Sequence, residues 1–422
     1  MSKKKQDKQE WKPTKKHLSN LKKAQRRQKI ILFSGISVIC LSVVMVVLGL
    51  VLQWYIPKIK PLKDVVLEVN GTAFKMNYYI DAVKYQTSGY SSQLVPYFLD
   101  PVANNIINGE LTRQYANELG YTVSDSEVDE YLEEQDIKPN AAIRDYTHTY
   151  LLQKKLIEEH FKTQLPAETE LRDAFAIFLE SQSQVIEVIA RLDSGESFED
   201  IAEELSLDDA TKKISGALGK HPAGVIAYKY GSEVLEEAIF TANIGTHSIY
   251  DEDKNKAVGY WLIEVLERSE DSESPAANVR VMLLTSEEEA ISIRERLVNG
   301  EDFDELAEEY SKIWDDESGS LIEEVVPEDI SSAFDDYVFG DDLSMNEISQ
   351  PIRDIEQSTK GGYWLYQVAS IETGAISEED ADTLSYLDLE EWLKTIRDNS
   401  NNVINNHLDE EKKAFALEKI TG

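Results

Sequence analysis

One helical segment occurs twice in this chain, and that repetition limits the folds open to it more than any other feature. Residues 191–206 read RLDSGESFEDIAEELS and residues 296–311 read RLVNGEDFDELAEEYS, identical at nine of sixteen positions. The likeness extends to the flanks. An apolar strand precedes each copy, AFAIFLES at 174–181 and VRVMLLTS at 279–286. A Gly-containing loop and a Phe near a helix end follow, and strands opening with Gly-Tyr-Trp stand at Gly259 and Gly362. Separated landmarks sharing an offset of about 100 residues imply a duplicated domain. Short strands alternating with helices imply α+β domains with mixed or antiparallel sheets. The copies are expected in tandem over 167–268 and 277–373, each closed by its own Gly-Tyr-Trp strand.

With 422 residues and 42% hydrophobic content the chain can build about three ordinary domains. Its formal charge of −36 is unevenly spread. Residues 1–29 hold twelve Lys and Arg against Asp7 and Glu10, a net of +10, so the remainder carries −46. Next comes IILFSGISVICLSVVMVVLGLVLQW, Ile30 to Trp54, with no ionisable side chain except the thiol of Cys40. At about 1.5 Å per residue it is long enough for a hydrocarbon core of about 30 Å. It lacks the short apolar core and small-residue cleavage site of a secretory signal, so an uncleaved anchor is expected and a cleaved signal is the alternative. Only Lys58, Lys60 and Lys63 follow closely, so the positive-inside rule keeps the tail at 1–29 cytoplasmic and exports residues 55–422. The expected location is the cell membrane, with one pass. The tail's basic charge suits topology and anionic lipid, and no nucleic-acid partner is expected. Cys40 is the sole cysteine, so the exported part has neither disulfides nor thiol chemistry.

Pro57 and Pro61 suggest a stiff, extended exit from the membrane. VVLEVNGTAF then reads as a strand with an Asn70-Gly71 hairpin turn. Helical periodicity dominates up to Pro166, with Ser124 and Glu127 spaced as a capping box. Residues 62–166 therefore form a helical domain. After the second copy, 377–419 reads as helical. Its stripe of Leu389, Trp392, Ile396 and Val403 needs a partner face, expected on the N-terminal helical region.

The repeat resembles the parvulin fold of peptidyl-prolyl isomerases. The first copy matches the family pattern with GESFEDIAEELSLD (195–208), GALG (216–219), EEAIF (236–240) and GYW (259–261). The second does so with GEDFDELAEEYS (300–311), SGSL (318–321), YVF (337–339) and GYW (362–364). VNGTAFKMNYYIDAV and ANELGYTVSDSEVDEYL resemble the chaperone domain of SurA-, PpiD- and PrsA-type extracytoplasmic foldases, and the single span makes the layout most similar to the PpiD type. The resemblance implies an α+β protein with one N-terminal transmembrane helix, a helical chaperone domain and two parvulin-like domains. The segment at 377–419 would complete the chaperone domain.

Active parvulins use two histidines, an Asp or Cys, and an apolar proline pocket. The first-strand histidine aligns here with Ala176 and Val281, and the last-strand histidine with Trp261 and Trp364. Asp208 keeps the acidic position in the first copy, whereas Ile313 stands there in the second. His221 and His247 do not match the family positions and are expected at the surface. Since isomerisation needs only stabilisation of a twisted amide, loss of both histidines implies weak or absent activity, with Asp208 the remaining catalytic candidate. Phe240, Trp261, Phe339 and Trp364 are the candidate client-binding residues, and core packing is the alternative for each. The acidic runs SEEDADTL and DDESGS are expected to be solvated, and no metal site or cofactor is implied. The expected function is a membrane-anchored chaperone for unfolded or newly exported polypeptides, near the translocation machinery. An active isomerase and a scaffold for one membrane partner are the alternatives.

Overall fold

The computed structural model describes residues 15–269, 275–315, 318–341 and 343–422. The start of the basic tail and two residues of the DDESGS run lie outside the described residues. The chain forms two units: residues up to Leu156 with Leu389–Gly422, and Ile157–Asp388.

The first unit begins with α1 (Lys15–Leu50), which runs into a wide helical turn at Val51–Ile59 and a tight one at Pro61–Lys63. The expected extended exit is therefore helical. Proline's fixed φ suits a helix, and the wider turn relieves its clash with the preceding turn's carbonyl. Among the described residues no helix is long and apolar enough to cross a membrane. Several side chains of the Ile30 to Trp54 stretch fall outside the described set.

β1 (Val65–Val69) and β2 (Thr72–Lys75) form a hairpin in which Asn70 and Gly71 both take positive φ, as a tight turn of this type demands. Four helices follow: α2 (Met76–Gln86), α3 (Val95–Glu118), α4 (Asp125–Glu134) and α5 (Ala141–Leu156). The capping box between Ser124 and Glu127 starts α4. The C-terminal segment joins the same core. It contains the end of α15 (Glu378–Arg397), β11 (Ile404–Asn406) and α16 (Glu410–Thr421). β11 pairs with β1, while Trp392, Ile396 and Ala416 pack with Val66, Leu67 and Ile80. Val403 departs from the expected stripe: α15 stops at Arg397, and Val403 is exposed.

In the second unit a turn at Ile157–Phe161 and α6 (Lys162–Gln164) lead into β3 (Thr169–Leu179). Then come α7 (Gln182–Asp193), α8 (Phe198–Leu205), α9 (Asp209–Lys213), β4 (Ala217–His221), α10 (Val225–Tyr230), α11 (Glu233–Thr241) and β5 (Gly245–Lys256). The second repeat comprises β6 (Gly259–Arg268), β7 (Ala277–Leu284), α12 (Glu287–Val298), α13 (Phe303–Tyr310), β8 (Leu321–Val325), α14 (Ser332–Val338), β9 (Ile352–Asp354) and β10 (Thr359–Gly374).

Strand pairing corrects the expectation that each copy closes on its own last strand. The sheets run β4-β3-β10-β5 and β8-β7-β6-β9. β10 lies antiparallel to β3 and β5, placing Trp364 opposite Phe178, and β6 lies antiparallel to β7 and β9, placing Trp261 opposite Leu283. The repeats have exchanged their Gly-Tyr-Trp strands. The second sheet is thus continuous in sequence and is inserted between β5 and β10 of the first. The reason lies in the short link between β5 and β6. Ala257-Val258 offers neither of the positive-φ residues that a two-residue hairpin needs, and Val258 is buried. The chain therefore crosses into the other sheet rather than turning back.

Each sheet is covered on both faces. In the first, Ala174, Ala176, Phe178, Trp364 and Tyr366 face Leu235 and Ile239 of α11, while Ile177, Leu179 and Leu365 face Val188, Phe198 and Ile201 of α7 and α8. In the second, Trp261 and Val281 meet Phe334 and Val338 of α14, while Leu262 and Met282 meet Ile293 and Phe303. Alternate residues of one strand reach opposite faces, as a pleat requires. The glycine before each Tyr-Trp marks a close approach: a Cβ on Gly362 would lie 2.5 Å from the Leu179 carbonyl oxygen.

Candidate functional site

The two tryptophans anchor one arrangement built twice. In the first sheet the Trp364 indole N–H donates to Asp251 Oδ2 at 3.1 Å and to Ser232 Oγ at 3.2 Å, and the Ser232 hydroxyl donates to the same carboxylate oxygen at 2.6 Å. In the second, the Trp261 N–H donates to Asp354 Oδ2 at 2.7 Å, and Ser331 also donates to it. Each serine caps a helix N-terminus, Ser232 that of α11 and Ser331 that of α14. A short polar side chain capping a helix while donating to a buried carboxylate satisfies two groups at once. Burial alone raises the Asp354 pKa, but hydrogen bonds from Ser331, Trp261 and the Glu356 backbone outweigh it and hold the carboxyl below its ordinary range.

This arrangement decides what the tryptophans can do. Trp364 and Trp261 are 0% and 2% exposed, so neither presents a surface to a client in this conformation. Of the two roles open to them, core packing is the one they occupy. Phe240 and Phe339 are half-buried against the same cores, and the Arg172 guanidinium lies 5.4 Å from the Phe240 ring centre. Ala176 and Val281 are buried and apolar.

Asp208 is also engaged. Its Oδ1 accepts from the Thr211 backbone N–H at 2.8 Å as the N-cap of α9, and its Oδ2 pairs with Lys254 Nζ at 2.7 Å. Lys254 in turn donates to the Tyr230 carbonyl at 2.6 Å and lies 5.2 Å from the Trp364 ring centre. In the second repeat Ile313 offers no carboxylate for such a pair. The residues that sequence reading missed are therefore Ser232, Asp251 and Lys254, with Ser331 and Asp354. The offsets could have found them: Asp251 and Asp354 are 103 apart, as Trp261 and Trp364 are, and Ser232 and Ser331 are 99 apart.

The histidines are not simple surface residues. His247, on β5, stacks on Tyr366 at 5.5 Å, and His221, on β4, contacts Asp380. Asp380 is itself buried, so the SEEDADTL run is not wholly solvated.

The first unit holds a cavity of about 510 Å³ whose lining includes Tyr78, Arg113, Asp145, Tyr146, Tyr150 and Leu393. Tyr146 packs edge-on against Tyr85 at 5.4 Å, and Tyr150 lies 5.6 Å from Tyr131. Tyr146 and Tyr150 are each 44% exposed. The floor is polar: Tyr78 donates to Asp145 at 2.9 Å, and Arg113 pairs with Asp145 at 3.0 Å. Burial raises the Tyr78 pKa, with Asp145 adding to it. Tyrosines on the rim and hydrogen-bonding groups beneath suit an extended polypeptide better than a small apolar molecule.

Family comparison agrees with the repeat. PPIC-type PPIASE domain models match residues 178–269 and 282–370. Each match follows the chain linearly and so spans the strand exchange. Foldase protein PrsA of Caldanaerobacter subterraneus is 28% identical over 165 residues, covering 35% of this chain and 52% of that protein. The chain thus matches about half the length of this curated relative. The crystal structure of peptidylprolyl isomerase (PrsA) from Bacillus anthracis covers 75% of this chain and 94% of its own, at 13% identity and a TM-score of 0.28. PrsA from Bacillus subtilis covers 85% and 92%, at 13% identity and a TM-score of 0.19.

Proposed function

We propose that this chain, which carries two PPIC-type parvulin domains and is of the SurA, PpiD and PrsA foldase type, acts as a chaperone for unfolded polypeptides with little or no prolyl isomerase activity. The observation carrying this reading is the use of both tryptophan N–H groups inside the fold. A prolyl isomerase gains by aiming donors at a twisting amide in an open pocket. At the family's histidine positions this chain has buried Ala176 and Val281 and two tryptophans bonded inward to Asp251 and Asp354. Asp208 is committed to Lys254 and its helix cap. The tyrosine-lined cavity of the first unit offers clients a surface, and Phe240 and Phe339 stay half-buried beside the two sheets.

Membrane anchoring belongs to the same proposal. It is supported by the uncharged stretch from Ile30 to Trp54 and by the exposure of Val38, Met45 and Leu52 on a segment that buries none of them in protein. The tail would lie in the cytoplasm, with residues 55–422 on the far side, where exported chains emerge unfolded.

The test pairs two assays on the detergent-purified chain: suppression of aggregation of a denatured client, and cis/trans isomerisation of an Xaa-Pro peptide. Suppression without acceleration is expected, with Tyr146→Ser plus Tyr150→Ser weakening suppression. Acceleration abolished by Asp208→Ala makes the chain an isomerase instead. Resistance to alkaline carbonate extraction from membranes checks the anchor, and release into the soluble fraction rejects it.

A further inference from the structure

Two arginines line the cavity of the first unit in opposite electrical circumstances. Arg113 of α3 lies between two carboxylates, Glu110 at 2.6 Å and Asp145 at 3.0 Å, so its charge is fully matched. Arg397, the last residue of α15, is half-buried and held by neutral acceptors: it donates to Asn104 Oδ1 at 2.8 Å and to Asn108 Oδ1 at 3.2 Å. Among the described residues no carboxylate pairs with Arg397, nor with Lys394 one turn earlier on the same wall. Glu390 lines the cavity a further turn back, and no ion pair joins it to either cation. The negative end of α15 offsets part of the two charges, but that effect is weak and confined to the last turn.

With 79 acidic against 43 basic side chains, carboxylates are plentiful in this chain, and a half-buried guanidinium ordinarily takes one. Here two amides take that place. They use two of the five N–H groups, which fixes the plane of the fork and leaves three donors for a ligand. Asn108 and Arg113 stand five positions apart on α3, roughly 8 Å along the helix, so the uncompensated cation is separate from the acid-paired one. At about 510 Å³ the cavity admits a few residues of an extended chain rather than a folded surface. Gln86 and Asn105, joined at 2.8 Å, line it with amides suited to a peptide backbone, and Tyr146 and Tyr150 supply exposed ring faces.

We propose that this cavity recognises a carboxylate on its client. An extended segment lays an acidic side chain, or its own C-terminal carboxylate, against Arg397 and Lys394, while neighbouring apolar side chains rest on Tyr146 and Tyr150. The proposal rests on the reading of the cavity as a client surface and adds a charge requirement to it. That requirement opposes the field of the whole molecule. An exported part carrying −46 repels acidic peptides, so a preference for them has to come from a local cation.

Fluorescence anisotropy of labelled octapeptides with the full chain in detergent tests this. Three peptides share one sequence rich in leucine and tyrosine: a blocked peptide with a central glutamate, a blocked peptide with glutamine there, and the glutamine peptide with a free C-terminal carboxylate. The glutamate peptide should bind about five-fold more tightly than its blocked glutamine counterpart, the size of one charge-assisted bond that stays partly solvated. A gain by the third peptide instead assigns the carboxylate to chain ends. Arg397→Gln should abolish the preference. If that variant does not fold, Lys394→Glu at an exposed position decides: the carboxylate should then give no advantage. A preference that survives both substitutions overturns the proposal. Equal binding of all three peptides, weakened alike by Tyr146→Ser plus Tyr150→Ser, also overturns it and leaves the cavity a client surface. Binding of none of them by the unaltered chain overturns the client reading and this proposal with it.

Discussion

At the residue scale the paired tryptophans yield an ordering rather than a single effect. Trp261 donates to Asp354 at 2.7 Å, whereas Trp364 reaches Asp251 at 3.1 Å while sharing its N–H with Ser232. Asp251 also accepts from the Asp253 and Lys254 backbones. Losing a bond to a buried carboxylate costs about 1.5–3 kcal/mol. Trp261→Phe should therefore destabilise by about that much and Trp364→Phe by less; equal denaturation midpoints for the two variants would remove the argument. Lys256 supplies a pH signature. It is 2% exposed, donates to the Gly361 carbonyl, and burial pushes its pKa down to about 8 despite Glu180 and Glu289 nearby. Between about pH 8 and pH 10.4 the unfolded chain then binds a proton that the folded chain does not, so stability contributed by this group rises with pH, by roughly 3 kcal/mol in all. Raised tyrosine pKa values, including that of Tyr260 beside Glu180, act in the opposite sense at higher pH. The difference in pH–stability curves between the unaltered chain and Lys256→Met isolates the lysine, and parallel curves would show that it stays charged.

At the element scale the exchanged strands define what can fold alone. β6, β7, β8 and β9 with their helices fall within residues 258–355, whereas the first sheet needs β10 from beyond them. A fragment spanning 258–355 should fold cooperatively, and one spanning 167–268 should not, because it holds β6 without its partners. Thr359 pairs directly with Lys256. Replacing residues 257–358 by an Asn-Gly turn should therefore give a compact first domain, and resistance to limited proteolysis would show it. If 167–268 folds and 258–355 does not, the repeats close on their own strands. Much of this level was legible in the sequence: the Asn70-Gly71 hairpin, the Ser124 capping box and the repeated helices all carry local signals. The exchange was not, because β6 and β10 share the same Gly-Tyr-Trp-Leu and an apolar alternation, so either sheet accepts either strand by pattern alone. What separated the two outcomes was a non-local consequence of a missing turn at Ala257-Val258. The site was legible in its absences, since the histidine positions can be read by alignment. It was illegible in its contacts, because Asp251 meets Trp364 only through the exchange.

At the scale of the whole molecule the chain is nested twice. The second repeat interrupts the first, and residues 157–388 together interrupt the first unit. Closing such long excursions costs chain entropy that grows only slowly with length, so nesting is tolerable once the returning segments bury enough apolar surface. In the first unit they do: Ile396 and Ala416 are buried, Trp392 packs beside them, and β11 gives β1 its second neighbour. Stability of the N-terminal helices therefore depends on residues more than 200 positions away. Truncation after Asp388 should leave the parvulin sheets folded while exposing Val66, Leu67 and Val69. The expected readout is rapid proteolysis within residues 65–156, with 157–374 persisting as a resistant core. A second chain supplying residues 389–422 should restore protection if the loss is only one of missing packing. Truncation that leaves residues 65–156 protected would mean that the hairpin and α2 to α5 hold together without the returning strand and helices, and that the closing segment serves some purpose other than completing that core.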